Sequence, residues 1–235
     1  MLADPLLLAA VGAGCVAGVV HALTGPDHLA AIAPLSVGRR VDAWRVGLFW
    51  GLGHSGGVWL LSLLVLWLRG AIPTALLSHW GERLVGVVLV CIGLWSCRNA
   101  LRSQIHFHRH CHDGVCHGHL HIHRPGEAVS SAHEAPEAHR HLHAPLWIGL
   151  LHGISGSHHF LAAFPVLALP SRAAAGGYIG GFGLGAIFGM ALFSWILGRW
   201  LLFPVGGSRG FRAARFATGG FAIGIGVFWL WVGGI

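Results

Sequence analysis

The chain contains no lysine, and only 10% of its 235 residues are charged. A soluble domain usually has about 25% charged residues, so this composition excludes an ordinary soluble protein. Hydrophobic residues instead make up 54% of the chain, and the mean hydropathy is +0.67. Apolar runs of about 20 residues, the length that a helix needs to cross a bilayer, recur along it. These features predict an integral membrane protein whose surroundings are the lipid bilayer.

The start of the chain also has no arginine, since the first one is Arg39. A signal peptide begins with a basic region, so the first apolar segment is expected to remain as a transmembrane helix. Three of the five cysteines, Cys15, Cys91 and Cys97, lie in apolar segments and are expected to be small packing residues. The sequence therefore predicts no disulfide framework.

Six apolar segments are long enough to be membrane spans, at roughly 6–36, 43–68, 82–101, 146–169, 173–203 and 211–234. With an external N-terminus, twelve of the 15 arginines fall on the inner side, and only Arg69, Arg83 and Arg172 fall outside. By the positive-inside rule, both termini are expected on the outer side of a cytoplasmic (inner) membrane. The net charge of +7 follows from this bias, so nucleic acid is not expected as a partner.

The region from 104 to 144 differs from the rest because it is polar and contains twelve of the 19 histidines. Such a segment buries too little apolar surface to fold alone, which predicts a flexible cytoplasmic loop. Histidine-rich tracts are typical of metal binding, although a solvated or pH-sensitive spacer is the alternative. The weaker metal ligands predicted here are His106, His108, His110, His112, His117, His119, His121 and His123.

Two similar motifs lie on either side of this loop. "HALTGPDHLAA" at 21–31 resembles "HGISGSHHFLAA" at 152–163, with a constant offset of 131 residues between matched positions. The chain is therefore interpreted as two three-helix repeats, 1–103 and 145–235, separated by the loop at 104–144. An odd number of spans per repeat inserts the second repeat upside down, as in many secondary transporters. The expected fold is an all-α membrane protein of six helices in two inverted repeats.

The first motif combines metal-binding side chains with a helix break. In a regular helix, His21 and His28 lie about 10 Å apart along the axis, and Asp27 points to another face. Gly25 and Pro26 favour a local unwinding that turns Asp27 and His28 back toward His21. Ionisable residues at membrane depth are costly, which favours a functional site. A purely capping Asp27 is the alternative.

Further ligands are expected from the other segments. His54, in "GLGHSGG", is predicted to be a ligand or relay residue, with a helix-to-helix hydrogen bond as the alternative. The second repeat contributes His152, His158 and His159, and its first helix is expected to be broken as well. The sequence thus predicts a metal site at the interface between the repeats.

"HALTGPDHLAAI" and "GLGHSGG" resemble the signature segments of the nickel/cobalt transporter superfamily, and most closely its short six-span urease-accessory-type permeases. The resemblance implies transport of nickel or cobalt, with Ni²⁺ or Co²⁺ as substrate and no prosthetic group. It implies that His21, Asp27 and His28 form the essential motif and that His54 belongs to the second. Uptake is favoured over efflux, and cytoplasmic metallochaperones and further copies of the chain are admitted as partners.

Two other classes stay open at this stage, although the protein is not expected to be an enzyme. The "SHH" run at 157–159 is similar to the histidine boxes of di-iron membrane enzymes. Paired histidines on facing helices could also hold a haem.

Overall fold

The computed structural model describes residues 4–39, 42–67, 74–102, 104–112, 115–123, 143–155, 166, 168–201 and 207–232. They form seven α-helices, one π-helical turn and two strands. The helices are α1 (Pro5–Thr24), α2 (Pro26–Ser36), α3 (Ala43–Trp67), α4 (Thr74–Arg102), α5 (His143–Ser155), α6 (Arg172–Ile196) and α7 (Gly207–Val232). The π-helical turn, Leu197–Leu201, continues α6.

Polar side chains begin two of the apolar helices. The Asp4 carboxylate accepts a hydrogen bond from the Leu6 N–H at 3.0 Å, and Pro5 takes the first helical position of α1. Proline is suited to that position because its missing N–H would have no helical partner there. The Ser171 hydroxyl likewise accepts from the Ala174 N–H at 3.1 Å and begins α6.

Four of the described helices are long and apolar enough to cross a membrane. These segments are Pro5–Thr24, Trp80–Arg102, Arg172–Arg199 and Arg209–Val232. The prediction of a helical, membrane-associated protein is confirmed to this extent. The complete arrangement of six spans in two inverted repeats stays a prediction.

Glycines bring two pairs of helices into backbone contact. A Cβ atom on Gly18 of α1 would collide with the Phe182 carbonyl of α6, and one on Gly149 of α5 would collide with the Trp50 carbonyl of α3. Small residues at a helix–helix contact let membrane helices approach closely enough for backbone packing. The pairs α1–α6 and α3–α5 are therefore closely packed at these glycines.

A third close pair, α4 and α7, is antiparallel. A Cβ atom on Gly86 would lie 2.8 Å from the carbonyl oxygen of Gly226, and one on Gly93 would lie 2.5 Å from that of Gly219. Residue numbers increase along α4 from Gly86 to Gly93, while those of the contacted residues in α7 decrease from Gly226 to Gly219. The two helices therefore run in opposite directions.

Buried hydroxyl groups connect α6 to its neighbours. The Ser55 hydroxyl of α3 donates to the Gly183 carbonyl at 3.0 Å, and the Ser36 and Ser194 hydroxyls lie 2.8 Å apart. Buried polar groups need such partners, so these contacts restrict how α2, α3 and α6 can shift against one another.

The histidine-rich segment contains regular structure that the sequence does not predict. Strands β1 (Gln104–His112) and β2 (Val115–His123) pair as an antiparallel hairpin. The flexible cytoplasmic loop predicted for residues 104–144 therefore contains a hairpin at residues 104–123, and its flexibility stays a prediction. The histidines alternate with other residues along both segments, and a period of two is typical of a strand.

Candidate metal centre

The break between α1 and α2 lies at the predicted position. Helix α1 ends at Thr24, Gly25 has an extended backbone with φ −73° and ψ 107°, and α2 begins with Pro26. The Gly25 N–H still donates to the His21 carbonyl at 3.0 Å. One residue of extended chain is thus enough to redirect the helix, and the predicted break in the first span is confirmed.

This break brings together side chains from four helices. His21 lies in the last turn of α1, Asp27 and His28 lie in the first turn of α2, His54 lies in α3, and His152 lies in α5. His28, His54 and His152 are no more than 4% exposed. The His28 ring is central, because its centroid lies 4.7 Å from that of His21, 4.9 Å from that of His54 and 5.0 Å from that of His152.

Asp27 supplies negative charge to this cluster. Its Oδ2 atom lies 2.9 Å from Nε2 of His152, and its Oδ1 atom lies 3.7 Å from Nδ1 of His28. A buried carboxylate is costly unless it is paired, so these two imidazoles compensate its burial. The N-cap of α2 is Gly25, and Asp27, in the first turn, connects the broken helix to α5.

The donor atoms divide into two sets of three that could each hold a metal ion. One set is His21, His28 and His54, and the other is Asp27, His28 and His152. Within each set the donor atoms lie within 4.8 Å of one another. Ligands about 2.1 Å from a tetrahedral ion are separated by roughly 3.4 Å, so side-chain movements of about 1 Å would close either set on an ion.

Gly25 also determines where the His28 ring can lie. A Cβ atom at Gly25 would collide with Nδ1 of His28 and would lie 3.0 Å from Oδ1 of Asp27. Glycine is therefore required here by space, since the extended backbone of residue 25 is open to other residues.

Trp50 forms a wall of the cluster, although it is not among the residues predicted for the site. Its ring stacks on His54 with centroids 5.4 Å apart and an interplanar angle of 10°, and it lies 5.0 Å from the His152 ring. Trp50 precedes His54 by four residues, which places both on one face of α3. That spacing is the signal that could have identified it.

The other predicted ligands are not brought into this cluster by anything described. His158 and His159 lie outside the described residues. For the hairpin, the backbone register pairs His106 with His121, His108 with His119 and His110 with His117. Metal binding by the hairpin stays a prediction.

Comparisons with known proteins identify two relatives in Arabidopsis thaliana. Over 189 residues the chain is 34% identical to "Chloroplast protein FOR GROWTH AND FERTILITY 1". The aligned region covers 79% of this chain and 48% of that protein. It is 30% identical over 199 residues to "Chloroplast protein FOR GROWTH AND FERTILITY 2", with 82% and 48% covered. The chain thus spans about half the length of the curated relatives it matches. Neither a family model nor a solved structure matches it.

These comparisons contradict the predicted identification with the nickel/cobalt transporter superfamily. The relatives are named as chloroplast proteins, and no family model of nickel/cobalt transporters matches. The prediction of nickel or cobalt transport, by uptake or efflux, is therefore wrong. The motifs "HALTGPDHLAAI" and "GLGHSGG" are short, and their few polar positions describe a local geometry and not a family.

The predicted localisation is supported only in general terms. The four apolar helices indicate a membrane-associated protein, and both relatives are named as chloroplast proteins. They do not support the cytoplasmic inner membrane as its location, and the orientation of the chain stays a prediction.

Proposed function

We propose that this protein binds a divalent transition-metal ion at a centre buried between its membrane helices. The observation that carries the proposal is the convergence of four imidazoles and one carboxylate, within an apolar bundle, at a helix break. Polar and ionisable groups at membrane depth are costly and usually mark a functional site. The proposal is of binding, and movement of nickel or cobalt across the membrane is not part of it.

The donor atoms favour certain ions. Imidazole nitrogen suits zinc, copper and iron, whereas magnesium and calcium require shells made of oxygen. The set of Asp27, His28 and His152 combines two histidines with one carboxylate, a composition typical of non-haem iron(II) sites. Zinc, copper and iron are therefore the ions to measure first.

We also propose that the helical bundle is built from two inverted repeats related by the 131-residue offset. That offset carries α3 onto residues 174–198, close to α6, and carries α4 onto residues 205–233, close to α7. The repeat thus relates α1 to α5 and α3 to α6, so the contact of α1 with α6 is equivalent to the contact of α5 with α3. The pair α4–α7 is formed by two helices that the repeat relates to each other. The glycine contacts at Gly18 and Gly149, which are separated by the same offset, support this relation.

A pair of matching hydrogen bonds supports it further. The Thr24 hydroxyl donates to the Val20 carbonyl at 2.8 Å, and the Ser155 hydroxyl donates to the Leu151 carbonyl at 2.6 Å. Donors and acceptors are both separated by 131 residues. His21 and His152 are related in the same way, so each repeat would give the centre the histidine that precedes this hydroxyl by three residues.

Metal analysis of the purified chain tests the proposed centre. The hairpin would compete for metal, so the parent for this test carries His→Gln replacements at all eight hairpin histidines. We expect the parent to retain about one equivalent of zinc, copper or iron after dialysis, and His28→Ala to retain none. The matched control is His143→Ala, which removes an exposed histidine at the beginning of α5.

Two results would contradict the proposal. One is a parent protein that retains no zinc, no copper and no iron after dialysis. The other is equal retention by the parent and by His28→Ala, with both proteins shown to be helical and monodisperse in detergent. In either event the cluster would be a hydrogen-bonding network that joins the helices, without a metal role.

A further inference from the structure

Because His28 belongs to both sets of donor atoms, the proposed centre contains more than one place for an ion. The His21–His28–His54 set has three imidazoles, and the Asp27–His28–His152 set has two imidazoles and a carboxylate. The first set is electrically neutral and the second carries one negative charge when the histidines are neutral. The two places therefore differ in charge as well as in position.

The position of His28 allows it to serve each set. Its Nδ1 atom faces Asp27 at 3.7 Å, and its ring is nearly perpendicular to those of His21 and His54, at 69° and 80°. An imidazole has two ring nitrogens, either of which can bind a metal when it is unprotonated. Gly25 leaves the space that the His28 ring occupies, since a Cβ atom there would collide with Nδ1.

Two ions at once are disfavoured by charge. An imidazole that bridges two ions holds them roughly 6 Å apart, as follows from its metal–nitrogen bonds of about 2.1 Å. Two divalent ions would bring four positive charges, and Asp27 is the one carboxylate of the cluster among the described residues. In a buried site, such an excess of charge is strongly unfavourable.

We propose that the centre holds a single ion in either of two overlapping coordination positions that share His28. This inference rests on the proposed metal binding and extends it. In one position the ion is bound by His21, His28 and His54, and in the other by Asp27, His28 and His152. Exchange between them requires small side-chain movements, with His28 retained as a ligand while the outer ligands change.

Two alternative positions for one ion have a quantitative consequence. The measured association constant is the sum of the association constants of the two positions. His54→Ala removes a ligand of the first position only, and Asp27→Asn removes a ligand of the second only. The association constants of these two variants should therefore add up to at least that of the parent, so at least one variant keeps half or more of the parent affinity.

The test uses Cu²⁺ as the probe, in the chain with the eight hairpin histidines replaced by glutamine. Affinity is measured by competition with a chelator, and pulsed electron paramagnetic resonance counts the coordinated imidazoles. We expect one Cu²⁺ per chain, about two imidazoles in His54→Ala, and about three in Asp27→Asn. His28→Ala should weaken binding at least about tenfold below either variant, and His143→Ala should leave affinity and spectrum unchanged.

The remaining outcomes distinguish the inference from the function on which it rests. Tenfold or greater losses in both His54→Ala and Asp27→Asn would indicate a single site that needs all the ligands, which overturns the inference and keeps the metal centre. Two Cu²⁺ ions per chain would also overturn it, in favour of a bridged pair. A parent that binds no Cu²⁺, and likewise no zinc or iron, would remove the proposed centre itself.

Discussion

The carboxylate of Asp27 lies 2.9 Å from Nε2 of His152, although 125 residues separate the two in the chain. Asp27 lies in the first turn of the short helix α2, and His152 lies near the end of α5, so the contact joins the two halves of the sequence. Asp27 is mostly buried, with 16% of its side chain exposed. A carboxylate in such a position depends on its partner, and this dependence can be measured.

We expect His152→Ala to destabilise the metal-free protein by about 3–5 kcal/mol, because it leaves the buried Asp27 charge without its shortest contact. Asp27→Asn should cost less, since a neutral amide is cheaper to bury than a carboxylate. In the double variant, the second change should cost little or should restore stability. Thermal unfolding in detergent, followed by circular dichroism with chelator present, gives the four values. Strictly additive costs would show that the two residues are not coupled.

Gly25→Ala tests whether space at the helix break holds His28 in position. The added methyl group would collide with Nδ1 of His28, so the ring must move away from both sets of ligands. We expect metal affinity to fall at least about tenfold, in the range seen when groups that orient ligands are changed. Chelator competition is the measurement.

The matched control for this change is Gly12→Ala in α1, where an added Cβ atom meets nothing within 4 Å. This variant should bind metal as the parent does. Unchanged affinity in Gly25→Ala would mean that His28 is not positioned by the break, and this part of the site description would be wrong.

The sequence contains much of the local geometry of the site and little of its assembly. Gly25 and Pro26 predict the break because both restrict or release backbone conformations within a few residues. The contact of His152 with Asp27 is predicted only in outline, from the second copy of the motif. Helix pairing depends on the fit of surfaces far apart in the chain, so periodicity could not show that α1 packs on α6.

Trp50 and the hairpin show where sequence reasoning fails. In an apolar helix, a tryptophan has the same composition signature whether it faces lipid or a cluster of imidazoles, so only its spacing of four residues from His54 separates Trp50 from the other ten. The hairpin at residues 104–123 is not predicted because low hydrophobicity indicates a loop, whereas the alternation of histidines has the period of a strand.

Trp50→Phe should remove the largest part of the fluorescence change that accompanies metal binding. The Trp50 indole stacks directly on His54, so Cu²⁺ bound by that imidazole quenches it more strongly than the distant tryptophans. Phenylalanine keeps an aromatic ring against His54, so metal affinity should change little. Fluorescence and affinity are measured in one titration, with Trp147→Phe in α5 as the control because its side chain is 61% exposed. If Trp50→Phe keeps the full fluorescence change on metal binding, the bound metal does not lie next to Trp50.

The two glycines related by the 131-residue offset should respond alike to the same substitution. Gly18 of α1 lies against the Phe182 carbonyl, and Gly149 of α5 lies against the Trp50 carbonyl, so a methyl group at either position forces two helices apart. We expect Gly18→Ala and Gly149→Ala each to cost about 1–3 kcal/mol, the usual cost of overpacking, despite the higher helix propensity of alanine. Unfolding in detergent, followed by circular dichroism, measures both.

Gly180→Ala in α6 controls for helix propensity, because an added Cβ atom there meets nothing within 4 Å. It should leave stability unchanged or raise it by up to about 1 kcal/mol, as expected for replacing glycine inside a helix. Costs for Gly18→Ala and Gly149→Ala that both exceed this control and agree with each other within about 1 kcal/mol would support two equivalent helix contacts. A large cost at one site with none at the other would contradict that equivalence, because contacts related by an inverted repeat put the same strain on the bundle.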